Sequence, residues 1–207
     1  MLSPRLVKGG LVEVDAGSGA VRRVVMLQYN PDSMARTLKL SGTDGGPEAL
    51  RIGKPPTETL RIEVELDATD AMEKGAGAEL GVHPMLAALE QLVHPSLGEL
   101  RRRDALASAG AIEIISAQGP LTLFVWSAKR ILPVQLSELA VTEEAFDARL
   151  NPVRAKVTVG MRVLTAGDLG YDQRGGGIYL TYLGTKASLS RKVSDAALAS
   201  LGIGAIP

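Results

Sequence analysis

The residues able to do chemistry are few, and their spacing is poor for it. The chain has no cysteine and two histidines, which removes thiolate metal sites, disulfides and thiol nucleophiles. His83 and His94 each precede a proline. Their separation matches neither the i, i+4 pair of a helical metal site nor any thiolate-assisted one. No metal or cofactor is expected, and both histidines are expected to cap or pack a helix. The acidic set Glu138, Glu143, Glu144 and Asp147 could supply paired carboxylates for general acid and base work, but with no partner nucleophile it reads as a wet loop. Gly175 to Gly177 resembles half of a phosphate loop without the following Lys-Ser or Lys-Thr, so a flexible joint is expected. Arg101, Arg102 and Arg103 read as a solvated helix end, or as a patch repeated around an axis if copies assemble. Neither histidine stands in a triad context, so an enzyme is not expected.

Composition narrows the partners. Of 207 residues, 23 are basic and 23 acidic, which removes any general electrostatic case for nucleic acid or an anionic membrane. At 45% hydrophobic and 22% charged the chain has the balance of a globular protein with ample length for a core. Aromatic residues make up only 3%, so the core must be filled by Val, Leu, Ile and Ala, and stacking platforms for bases are scarce. No stretch approaches the roughly 18 apolar residues of a membrane span, and MLSPRLVKGGLVEVD has no secretory core. Cytoplasmic synthesis and assembly are expected, with no direct membrane insertion.

The elements that position these groups are mostly strands. GGLVEVD and VRRVVMLQY, joined by the Gly-rich DAGSGA, read as a hairpin. A polar segment follows, then SGTDGGPEALRIGKPP, too rich in Gly and Pro for anything but a long loop. In TETLRIEVELDATD, Leu60, Ile62, Val64 and Leu66 alternate with charged residues, the period of a half-buried strand. EKGAGAELGV reads as flexible. PMLAALEQLV has helical spacing, with Pro84 suited to a first turn. Strands resume with AIEIIS, LTLFVWSAKRI, PVQLSELAVTEEAF and VRAKVTVGMRVLT, the last placing Val153, Ala155, Val157, Val159, Met161 and Val163 on one face. Trp126 is a core or interface anchor. Beyond Gly170, IYLTYL favours a strand by propensity while LGTKASLSRKVSDAALASL fits a helix by spacing. A helical tail over the last third is the favoured reading.

Two Asn-Pro dipeptides punctuate this pattern: Asn30-Pro31 ends LQYNPDSM, and Asn151-Pro152 precedes the Val-rich strand. Either is an ordinary turn or a corner that shapes an assembly surface. Pro cannot donate to a ladder, and Asn can bond its own downstream backbone, so both are expected to stop pairing and re-aim the chain.

The succession LQYNPDS, LRIEVELDATD, GVHPMLAALEQLV, LTLFVWSAKRILPVQLSEL and EEAFDARLNPVRAKVTVGMRVLTAGDL, from about residue 10 to 170, resembles the tube-protein family of contractile injection systems, the phage-tail-like devices of bacteria. Within that family the resemblance is nearest to the baseplate member that starts the inner tube and joins it to the spike. Such adaptors often carry a C-terminal LysM module, whereas the stretch after Asp168 shows no strand-helix-helix-strand pattern, which favours a plain tube subunit as the alternative.

The resemblance implies a mainly β fold: two packed antiparallel sheets forming a partial barrel with one flanking helix, over residues 1–169, followed by a tail over 170–207. It implies a homo-oligomer, a hexameric ring around a channel, with inner-tube, spike and baseplate proteins as partners, in a particle that is cytoplasmic, membrane-attached or released. The assembly candidates are Asn30, Pro31, Trp126, Asn151, Pro152, Leu183, Leu189 and Val193. The last three belong to an apolar set, with Ala187, Ala197, Leu198 and Leu201, that a free monomer would leave unprotected. A monomeric β-sandwich that captures a peptide on a strand edge is the competing class.

Overall fold

A computed structural model describes residues 7–40, 55–73, 79–110 and 119–193. The elements in chain order are β1 (Gly10–Val14), β2 (Val21–Met26), β3 (Met34–Lys39), β4 (Thr57–Asp67), α1 (Thr69–Glu73), α2 (His83–Glu90), α3 (Leu97–Ser108), β5 (Leu121–Ser127), β6 (Arg130–Phe146), β7 (Pro152–Val163), α4 (Ala166–Leu169) and α5 (Arg174–Ser190). The fold is mainly β and antiparallel, as expected. Its layers, however, come from one unclosed sheet of seven strands, ordered β2-β1-β5-β6-β7-β4-β3, where two separate sheets were expected. The physical cause is β6, 17 residues long. Its start, Arg130–Val134, pairs with β5. From Val134 to Phe146 it pairs with β7, with a register shift between Leu136 and Glu138. One strand thus serves both halves, and the irregularity bends it between them.

Alternation decides which face is buried. In β4, Glu58, Leu60, Ile62, Val64 and Leu66 are buried and the residues between them exposed. In β7, Ala155, Val157, Val159, Met161 and Val163 are buried while Val153 is half-buried. These side chains join Leu11, Phe124 and Leu132 in the core, where burying each Val or Leu stabilises by roughly 1.5–3 kcal/mol. Leu86 and Leu89 of α2, and Tyr179 and Tyr182 of α5, complete it. Pro84 stands in the first turn of α2, in line with the sequence pattern.

The sheet curls until the ends of β2 and β4 approach, yet no strand pairing joins them. The Gln28 side chain does so instead: its Nε2 donates to Asp67 O (2.6 Å) and its Oε1 accepts from Asp67 N (2.9 Å). One amide side chain therefore reproduces a rung of the ladder. At the opposite end Asp15 closes the β1–β2 turn. Hydrogen bonds from Ser18, backbone and hydroxyl, and from Arg22 hold its carboxyl down to about 2.

Four expectations differ from the structure. The polar segment after Pro31 contains an edge strand, β3, whose residues are exposed except for half-buried Met34; an edge strand wet on both faces has no apolar alternation to betray it. IYLTYL, which favours a strand by propensity, is helical within α5; the helical tail expected over the last third lies outside the described residues. Gly175 to Gly177 is no hinge but the first turn of α5. There a Cβ on Gly176 would lie 2.0 Å from Gly170 O, so only glycine lets this turn pack so closely. Glu138, Glu143 and Glu144 sit on β6 and only Asp147 lies beyond it, replacing the expected wet loop. The AIEIIS strand, the core of the long loop, part of EKGAGAELGV, and Ala197, Leu198 and Leu201 lie outside the described residues.

Candidate assembly site

The two Asn-Pro dipeptides occupy corners at the same end of the curled sheet, and neither asparagine bonds its downstream backbone as expected. Asn30 reaches back across the hairpin. Its Oδ1 accepts from Gly9 N (2.9 Å) and its Nδ2 donates to Val7 O (2.9 Å), directly beyond the rung in which Leu27 N donates to Gly9 O. The side chain extends the β1–β2 ladder after the main chain has turned away at Pro31. Asn151 Nδ2 donates to Asp147 Oδ2 (2.9 Å) and to Glu79 O (3.1 Å), while its N–H donates to Asp147 Oδ1 (2.8 Å). Hydrogen bonds from the Asn151 side chain and backbone, joined by Arg149, hold the Asp147 carboxyl below its ordinary value. Pro152 then opens β7, and its carbonyl accepts from Val82 N (2.8 Å). Gly81, at φ +56, allows that approach, because a Cβ there would meet Pro152 O at 2.1 Å.

Between the corners lies a four-stranded half-sheet with two open edges. Among the described residues β3 pairs only with β4, over Thr57–Ile62. Beyond Val134, β6 has β7 on one side and, among the described residues, no strand on the other. The outward face of this half is wet and mixed in charge. Register sets Ala140, Thr158 and Glu63 in one row and Thr142, Lys156 and Glu65 in the next. Arg61 pairs with Glu138 across β7, and Lys156 lies 3.5 Å from Glu144. The other half differs. There Val14, Leu121 and Leu123 form a second apolar cluster under Leu169 and Ile178, and Val24 and Met26 on β2 remain exposed.

The tail is anchored by a group that the sequence reading missed. Glu58 is buried, and its carboxylate accepts from Tyr182 Oη (2.9 Å) and Lys186 Nζ (2.9 Å), with Arg36 Nε at 3.9 Å. Lys186 also lies over the Tyr182 ring, 4.1 Å from its centroid. A buried carboxylate needs such partners. The available signal was Gly175, Tyr179, Tyr182 and Lys186 at i, i+4, i+7 and i+11, a stripe hidden because it is not aliphatic. Burial pushes the Tyr179 hydroxyl upward. Leu183, Leu189 and Val193 are exposed, Val193 at 74%.

Trp126 is half-buried, packs against the main core, stacks on Phe124 with centroids 5.9 Å apart and lies against Gly9, where a Cβ would come within 2.8 Å of its ring. Both histidines are exposed. Contrary to the expected capping role, α2 is capped by Val82 without a side-chain bond. The three arginines lie inside α3, where Glu99 pairs with Arg102 (2.8 Å) and Arg103 (3.1 Å). Among the described residues no group of three or more His, Asp or Glu could hold a metal ion, and no helix is long and apolar enough to cross a membrane.

A mainly β protein built on one unclosed antiparallel sheet, with strand edges unpaired among the described residues, is the class these features define. No protein-family model matches the chain, and no curated protein matches it.

Proposed function

We propose that the chain is a structural ring-former at the base of the inner tube of a contractile injection system, joining tube to spike and baseplate and catalysing nothing. The observation that carries this reading is the half-sheet β3-β4-β7-β6, with its wet outward face and two open edges. The free edge of β6 in one copy adds to β3 of the next, a head-to-tail contact that closes when the rotation allows. Backbone groups left open on each edge are then satisfied between chains, and the mixed-charge face lines the channel. The exposed leucines of α5 and Val193 face the adjoining spike or tube layer.

The test is sedimentation of the full chain alone and with its neighbouring tube and spike proteins, followed by electron microscopy of the assemblies. Closed rings with the outward face of β7 inside are the expected result. A chain that stays monomeric in every mixture and is missing from purified particles overturns the reading. One feature favours the competing peptide-binding module: an apolar cavity of about 210 Å³ between α2 and the edge strand β2, lined by Met26, Leu66, Met85 and Leu89 among others. A monodisperse monomer that captures an extended apolar peptide there would support that class instead.

A further inference from the structure

A step breaks the open edge on the β3 side. The chain leaves the sheet above Met34 through the Asn30–Ser33 corner, so β3 covers β4 only up to Ile62, while β4 continues to Asp67. Glu63 to Asp67 therefore has β7 on one side and, among the described residues, no strand on the other. A cleft of about 790 Å³ occupies this step, lined by Lys8, Tyr29, Pro31, Glu63 and Glu65 with the rest of the corner. Tyr29 is 48% exposed in it.

The open edge of β6 is longer than β3 and level with both parts of this profile. Through β7, Gln135 lies level with Thr59, and Glu144 with Asp67. The segment from Gln135 to Leu139 thus stands at the height of β3, and the segment from Ala140 to Phe146 at the height of the step. In a ring whose axis runs along these strands, rotation preserves height. A neighbour's β6 added to β3 therefore overshoots it by the seven residues Ala140 to Phe146, or about 23 Å at roughly 3.3 Å per residue, and its tip arrives beside the cleft.

That tip carries what the cleft lacks. Phe146 is 53% exposed and Leu150 78% exposed, an apolar pair at the end of the β6–β7 hairpin. Leu150 is held outward at φ +63.

We infer that the cleft at the Asn30-Pro31 corner seats the β6–β7 hairpin tip of a second copy, with Phe146 as the anchor against Tyr29 and Pro31. This rests on the ring reading and deepens it by assigning the corner its partner. It also gives the two Asn-Pro corners one shared purpose, since Asn151 shapes the tip and Asn30 shapes its seat.

The absence of native cysteine makes the test clean. A full-length chain carrying both Ala148→Cys and Asp32→Cys, exposed positions on the tip and the cleft that leave Phe146 and Pro31 in place, assembled alone or with its tube and spike partners, is treated with a bis-maleimide short enough to join only touching residues. Covalent multimers from the double variant, and at most dimers from either single variant, are expected. Phe146→Glu, with circular dichroism unchanged, should weaken self-association about tenfold or more, as loss of an aromatic anchor does. Rings that form normally without cross-links, or with Phe146→Glu assembling like the parent, overturn the seat and leave the ring reading standing. A chain that is monomeric in every mixture overturns both.

Discussion

The corners at Asn30-Pro31 and Asn151-Pro152 share a dipeptide and differ in how it is used. At the first, the asparagine side chain replaces main chain: it accepts from Gly9 N and donates to Val7 O where β2 has already ended, and Pro31 lies outside any strand. At the second, the asparagine organises a turn and ties it to Glu79, and Pro152 lies inside β7, buried and paired with Phe146. The lesson is that an Asn-Pro signal states only that pairing changes there. Whether the asparagine prolongs a ladder or closes a hairpin depends on which backbone the fold brings within reach.

The sharpest way to break this contrast is at the second corner, through its neighbour. Gly81→Ala combines a left-handed backbone with a Cβ 2.1 Å from Pro152 O, and should cost about 2–4 kcal/mol in denaturant titration of the full chain. A change within experimental error would show that Pro152 does not depend on this approach. Asn30→Ala strips partners from the Gly9 N–H and the Val7 carbonyl, and should cost about 1–3 kcal/mol. Asn30→Asp keeps the acceptor for Gly9 and loses the donor to Val7, so it should fall between the parent and the alanine variant. If alanine and aspartate are equivalent, the ladder-extending role is wrong.

Asn151→Ala should be milder, about 0.5–1.5 kcal/mol, because its partners are more exposed, and it should carry a pH signature. Asp147 is held below its ordinary value of 3.8 chiefly by hydrogen bonding from Asn151. A carboxyl depressed in the folded state contributes stability that is fully present above its unfolded value and is lost as pH falls through the folded one. The cost of Asn151→Ala should therefore shrink as pH falls below the ordinary Asp147 value of 3.8, whereas among the described residues no carboxylate partners the Asn30 side chain and its variant should show no such convergence. Parallel acid limbs for the two variants would erase the distinction. Pro31→Ala should have the smallest effect on stability, under about 1 kcal/mol, since Pro31 contributes stiffness outside the ladder. A larger loss would mean that Pro31, like Pro152, is structural to a strand.

The sequence by itself determined what is local. Period-two alternation located β4 and β7 and their buried faces down to Val157 and Leu60; helical spacing with Pro84 located α2; and the Gly-rich turn between β1 and β2 declared the first hairpin. These signals survive because one wet and one buried face imprint themselves on consecutive residues. Tertiary structure alone decided the rest. β3 is an edge strand wet on both faces, so nothing in MARTLK distinguishes it from a loop until β4 lies beside it. The union of two expected sheets into one follows from the pairing of β6 on both sides. The partners of Asn30 lie more than twenty residues upstream, and those of Lys186 and Tyr182 meet at Glu58, 124 and more positions away. A carboxylate in a strand and a lysine in a distant helix each read as surface residues. Only when the chain brings them together in a desolvated place does their pairing become the condition for burying either.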